Sequence, residues 1–84
     1  MGKYQLSIER TALKQLRKIP DHDRRSISSK VDKLKDCARP PGSRQLKGKL
    51  RGWRLRYGAH RIPYDIDSSA VTIRAIKRRD SAYR

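Results

Sequence analysis

The sequence predicts an α+β fold of order βααβββ, with a helical hairpin packed on one face of a small antiparallel sheet. Three observations predict it. Two segments with apolar residues at helical spacing lie in the first half, on either side of Pro20. Two alternating segments flank Gly58-Ala59 in the second half. A third run rich in Val, Thr and Ile, residues 70–76, follows the turn Asp67-Ser68-Ser69. The 84 residues suffice for one domain, 1–84, with one modest core, and they contain no internal repeat.

Each element has a local reason. Tyr4, Leu6 and Ile8 alternate with Gln5 and Ser7, so the chain opens on a short strand with one buried face. A helix over 10–18 puts Ala12, Leu13 and Leu16 on one side, and Pro20 stops it. Asp21 or Asp23 can cap the second helix, and acids at its start suit the helix dipole. Ile27, Val31, Leu34 and Ala38 make one apolar stripe on a helix of about sixteen residues. Arg39-Pro40-Pro41-Gly42-Ser43 ends the helical half. Residues 44–51 read as a basic loop anchored by Leu46 and Leu50.

Gly58-Ala59 is a two-residue loop with glycine first, the pattern of a type II′ hairpin turn. Tyr57 then faces His60, Arg56 faces Arg61, Leu55 faces Ile62, Arg54 faces Pro63 and Trp53 faces Tyr64. Trp53, Leu55, Tyr57, Ile62, Tyr64 and Ile66 share the face that the helices cover. Arg54, Arg56 and Arg61 share the other. Pro63 has no N–H to give, and on this register the missing bond falls on the side away from residues 53–57. A lost bond, a bulge or an open edge is expected there.

Charge is the second theme. Formal net charge is +15, from 23 Lys+Arg against 8 Asp+Glu. Between Cys37 and Tyr64 there is no acid, yet Arg39, Arg44, Lys47, Lys49, Arg51, Arg54, Arg56 and Arg61 all lie there. This stretch includes Trp53, Leu55, Tyr57, Ile62 and Tyr64, so it folds and holds its cations on a structured surface. Such a surface suits a polyanion, above all nucleic acid. Arginine fits phosphate because its planar fork binds bidentately and keeps its proton. Cys37 is the only cysteine, which rules out an internal disulfide, and it is expected to pack at the end of a helix. His22 and His60 are too few and too far apart to suggest a metal. No apolar run approaches the ~20 residues of a membrane span, and residues 1–10 carry no signal-peptide core. A cytoplasmic protein without membrane contact or cofactor is expected.

The segments GWRLRYGAHRIPYDI (52–66) and IKRRDSAYR (76–84) resemble the RelE/ParE superfamily of type II toxins. ALKQLRKIP (12–20) and QLKG (45–48) fit the same pattern, in the same order along nearly the whole chain. The resemblance implies a compact α+β toxin domain neutralised by a cognate, often acidic antitoxin that wraps it. RelE-type members cut messenger RNA in the ribosomal A site, without a metal. ParE-type members instead inhibit DNA gyrase and lack the cleavage residues. Carried over by position, the resemblance implies catalytic roles for Arg54, Arg56, Arg61, Arg78 and Tyr83. Arg79 neighbours the matched position of Arg78, and Tyr83 matches a C-terminal aromatic that stacks on a base or orients the nucleophile. Arg44, Lys47, Lys49, Arg51 and Arg79 are candidate contacts to the RNA backbone. Some RelE-type members have lysine where this chain has Arg54 and Arg56, so the general base stays open. Trp53, Tyr57 and Tyr64 share the core-side parity and are assigned to packing; His60 shares that parity, which argues against catalysis, but beside the turn it is expected at the surface or half-buried. The expected activity is that of a ribosome-dependent mRNA endoribonuclease. A gyrase inhibitor and a noncatalytic RNA-binding protein are the alternatives.

Overall fold

A computed structural model describes residues 4–41, 43–46 and 52–78. The elements are β1 (Gln5–Ile8), α1 (Arg10–Arg17), α2 (Asp21–Lys33), β2 (Ser43–Gln45), β3 (Trp53–Tyr57), β4 (His60–Ile66), β5 (Ala70–Ile73) and β6 (Lys77–Arg78). The strands form one sheet in the order β1-β5-β4-β3-β2, with β6 pairing β4 beyond the end of β5. The expected hairpin and meander are present, and β1 adds a parallel pairing to β5 that makes the sheet mixed. Sequence alternation carries no strand direction, so that pairing had no signal.

Helix α1 is short and ends in a tightened turn, in which the N–H groups of Lys18 and Ile19 donate to the carbonyls of Gln15 and Leu16. Ala12 is fully buried, whereas Leu13 points outward and is exposed, against the expectation that it would share the apolar side. Burial of Ala12 and Leu16 four residues apart fixes the helix rotation, and Leu13 lies about 100° around from Ala12. Pro20 opens α2 as well as closing α1: it is the N-cap residue, and its carbonyl accepts from Arg24 N at 2.9 Å. Neither Asp21 nor Asp23 caps the helix. Both sit inside its first turn, where Asp21 pairs with Arg24 (2.6 Å) and Arg25 (3.0 Å).

Helix α2 covers 13 residues and gives way to a turn in which Leu34, Lys35 and Asp36 donate three residues back. Ala38 is therefore beyond the helix yet still buried. Cys37 is exposed, not packed against the helix end as the sequence suggested, because the buried position of the turn falls to Ala38.

Ala12, Ile27, Val31 and Leu34 meet Leu55, Ile62, Tyr64, Val71, Ile73 and Ile76 in one cluster between helices and sheet. Burying each of the larger side chains contributes roughly 1.5–3 kcal/mol. Tyr64 is fully buried, and its hydroxyl donates to the Ala38 carbonyl at 2.7 Å. That bond ties the central strand to the chain leaving α2, and burial pushes the phenol's pKa above its ordinary value.

Residues 43–45 were expected in a loop and instead form β2, paired with β3. They hold no apolar residue to generate an alternating signal; backbone pairing alone makes the strand. Leu46 N donates to Gly52 O at 2.9 Å, closing the connection. Gly52 has φ +108°, and a Cβ there would stand 2.9 Å from the Tyr64 carbonyl oxygen, so glycine is required.

At Pro63 the structure holds a bulge, one of the three outcomes expected there. Tyr64 pairs with Ile73 and Arg61 pairs with Lys77. Between those pairs β4 has residues 62 and 63, while the facing strand has 74, 75 and 76. The Pro63 carbonyl accepts from Arg74 N at 3.0 Å, and the proline offers no bond in return. The extra residue lets Ala75 and Ile76 both turn inward, at 7% and 5% exposure.

Candidate nucleic-acid interface

The β3–β4 hairpin builds the site. Gly58 has φ +54° and Ala59 keeps a negative φ, as a type II′ turn requires. The pairs are those expected from the sequence: Tyr57 with His60, Arg56 with Arg61, Leu55 with Ile62, Arg54 with Pro63 and Trp53 with Tyr64. Leu55, Ile62 and Tyr64 are buried beneath the helices, so Arg54, Arg56 and Arg61 lie on the opposite face.

The outer strands extend this face. Arg44 on β2 is directly opposite Arg54, and Lys77 on β6 is directly opposite Arg61. Directly opposed residues point to the same side of a sheet. One row therefore runs Arg56, Arg61, Lys77 across β3, β4 and β6; a second runs Arg44, Arg54, Pro63 across β2, β3 and β4. A depression of about 480 Å³ is lined by Arg44, Arg54, Arg56 and Gly58. Arg54 and Arg61 are half-buried, whereas Arg44, Arg56 and Lys77 are exposed. Among the described residues no carboxylate comes within ion-pair distance of Arg44, Arg54, Arg56 or Arg61. Asp65 lies on the same face but further along β4, where Arg74 approaches it at 3.7 Å.

Opposed cations have Cβ atoms about 4.5–5.5 Å apart, and each such pair is destabilising. Five cations therefore stand in two rows on this face, and among the described residues Arg44, Arg54, Arg56 and Arg61 have no carboxylate at ion-pair distance. Arg54 and Arg61 are less free to move than fully exposed arginines because each is half-buried.

The register separates Arg78 from the trio. Arg78 is opposite His60, on the side facing the helices, where it lines a cleft of about 640 Å³ with Gln15, Ile19, Pro20 and His60. Lys77, which also borders that cleft, stands directly opposite Arg61. The signal for Lys77 was present: a bulge at Pro63 shifts side-chain parity by one on the facing strand. Lys47, Lys49, Arg51, Arg79 and Tyr83 lie outside the described residues. His60 is on the core side, as its parity implied, and at 9% exposure it is more buried than its place beside the turn suggested. Trp53 lies under the Arg39 guanidinium, 5.1 Å from the ring centre, and Tyr57 under Lys30 at 5.7 Å. Among the described residues no group of His, Cys, Asp and Glu side chains gathers that could hold a metal, and no helix is long and apolar enough to cross a membrane.

Comparison with known proteins agrees with this architecture. The structure superimposes on the toxin–antitoxin complex RelBE2 of Mycobacterium tuberculosis with a TM-score of 0.79 at 23% identity, covering 92% of this chain and 99% of that one. The RelE–RelB complex of Pyrococcus horikoshii gives 0.77 at 23% identity, over 92% and 96% of the two chains. The isolated Escherichia coli RelE toxin gives 0.75 at 19% identity, over 89% and 83%. In sequence, a Methanocaldococcus jannaschii protein bearing the toxin name RelE1 is 29% identical over 87 aligned positions, spanning 98% of this chain and 97% of its own length. A family model described as the ParE toxin of type II toxin–antitoxin systems matches residues 6–83. With helices, sheet and family match in agreement, this chain belongs to the RelE/ParE superfamily of type II toxins.

Proposed function

We propose that this type II toxin is a ribosome-dependent mRNA endoribonuclease of the RelE kind. The observation that carries the reading is the outward face on which Arg44, Arg54, Arg56, Arg61 and Lys77 stand together. A scissile phosphate would supply the negative charge that these opposed cations lack among their neighbours.

The ribose 2′-hydroxyl attacks the adjacent phosphorus, forming a 2′-O–P bond while the P–5′-O bond breaks. Negative charge grows on the phosphate oxygens and on the departing 5′-oxygen. Arg54, Arg56 and Arg61 donate to those oxygens in fixed positions, and loss of one such donor typically costs about 10²–10³ in rate. Lys77, beside Arg61, gives a proton to the 5′-oxygen; unlike the arginines it can part with one. The base that takes the 2′ proton is not among the arginines, which keep theirs. Arg78, Arg79 and Arg44 hold the flanking backbone, as do Lys47, Lys49 and Arg51, without reading sequence. Tyr83 stacks on a base or orients the 2′-hydroxyl. The cognate antitoxin is acidic and wraps the toxin, consistent with a net charge of +15 and with the antitoxin-bound state of the RelE relatives.

The family description names ParE toxins, which favours gyrase inhibition as the second reading. One experiment separates the two. Purified protein added to translating ribosomes should yield messages cut at A-site codons, with gyrase supercoiling unaffected. Intact messages with inhibited supercoiling would select the ParE reading. Binding to RNA with neither effect would leave a noncatalytic RNA-binding protein.

A further inference from the structure

At the bulge between β5 and β6, helix α1 takes up the backbone N–H of Ile76. Ile76 N donates to the side-chain Oε1 of Gln15 at 2.7 Å. The two residues are 61 positions apart in sequence, and the bond is partly buried. A backbone N–H can only donate, so the glutamine must present its oxygen here, which fixes the orientation of its amide.

This contact lies at the point where the register decides which side chain reaches the cation face. With the β4–β5 register continued past Ile73 without a bulge, Arg61 would be opposite Ile76 and His60 opposite Lys77. Ile76 would then point to solvent beside Arg61, and Lys77 would point toward the helices. The extra residue reverses both outcomes: Ile76 is 5% exposed, and Lys77 is opposite Arg61. Pro63 makes the ladder fail at this point, but a missing bond does not choose where the extra residue goes. The Gln15 oxygen meets the Ile76 N–H in the bulged register, a contact that the unbulged register would not offer with Ile76 turned to solvent.

We propose that Gln15 is a positioning residue of the toxin site. It clamps the bulge from the helical side and so delivers Lys77 to the row that holds Arg61 and Arg56. The inference rests on the reading of that row as the phosphate-cleaving surface.

The test compares the full chain with Gln15→Leu, which removes the acceptor at similar size, and Gln15→Glu, which restores an oxygen. Gln15→Asn, one methylene short, serves as a second loss variant should Gln15→Leu not fold. Three quantities are read: exchange of the Ile76 amide, the nuclear Overhauser contact between Arg61 and Lys77, and message cleavage on ribosomes. In Gln15→Leu the Ile76 amide should exchange faster and the Arg61–Lys77 contact should weaken. kcat should fall on the order of 10–10²-fold, the size of effect expected from a misplaced catalytic group, with KM for the ribosome little changed. Gln15→Glu should recover all three. An unchanged Arg61–Lys77 contact in the folded loss variants would overturn the proposal, as would a lost contact with full kcat or failure of folded Gln15→Glu to recover cleavage. A wild-type chain that cuts no message would sink the nuclease reading instead, and the Arg61–Lys77 contact would still decide whether Gln15 sets the register.

Discussion

Arg61→Met should make the protein more stable and less active at once. Arg61 is flanked in its row by Arg56 on one strand and Lys77 on the other. If the charged ends splay to about 7 Å, each like pair costs roughly 0.6 kcal/mol at the dielectric of water. Two pairs give about 1 kcal/mol, reduced to about 0.5–1 kcal/mol by physiological salt. Methionine keeps most of the half-buried apolar stem, so little packing is lost. For a domain of this size the gain corresponds to a rise in Tm of about 2–8 °C, and it should shrink as salt is raised. Cleavage should fall by about 10²–10³ because one preorganised donor to the phosphate is gone. Urea unfolding at two salt concentrations and single-turnover cleavage on programmed ribosomes read the two effects separately. A variant that cleaves at the wild-type rate would remove Arg61 from the site. A variant destabilised by more than about 1 kcal/mol would show that its guanidinium is engaged in the fold and not strained against its neighbours.

Four further outcomes follow from other residues. Tyr64→Phe removes the donor to Ala38 O and should cost about 1–3 kcal/mol in urea unfolding, since a buried carbonyl loses its partner. Because burial raises the Tyr64 pKa in the folded state, its contribution is whole below the unfolded value of about 10 and is lost as pH rises through the folded value; wild type should lose stability above pH ~10 more steeply than Tyr64→Phe. Gly52→Ala should destabilise by about 1–3 kcal/mol, because φ +108° and the nearby Tyr64 carbonyl both exclude a Cβ; a Tm unchanged from wild type would contradict this. Arg44→Gln should lower the slope of log affinity against log salt for single-stranded RNA by about 0.7 while leaving Tm within a few degrees, and an unchanged slope would take Arg44 off the phosphate path.

How much the sequence revealed depended on the kind of signal each element carries. The β3–β4 register was legible to the residue because Gly58 marks the turn and Trp53, Leu55, Tyr57 alternate with arginine on one side while Ile62 and Tyr64 do so on the other. Pro63 announced a fault in the ladder by chemistry alone, since it lacks an N–H, without saying whether it would be a lost bond, a bulge or an open edge. The arginine trio followed from the hairpin register. What stayed hidden had no apolar period to betray it. Ser43-Arg44-Gln45 forms a strand held by backbone bonds, and Lys77-Arg78 is a two-residue strand whose parity depends on a bulge upstream. Matching by position therefore did not single out Lys77, which the register brings to Arg61. Leu13 and Cys37 were misassigned because helix rotation and helix length are decided by what the helix packs against, not by local pattern.

Trp53 is the only tryptophan of the chain, and it sits on β3 immediately before Arg54 with the Arg39 guanidinium over its ring. The protein thus carries a built-in fluorophore on the strand that presents its cations. Its emission reports the seating of that strand directly, and loss of the guanidinium cover at the ring should register as a spectral change before the rest of the domain lets go.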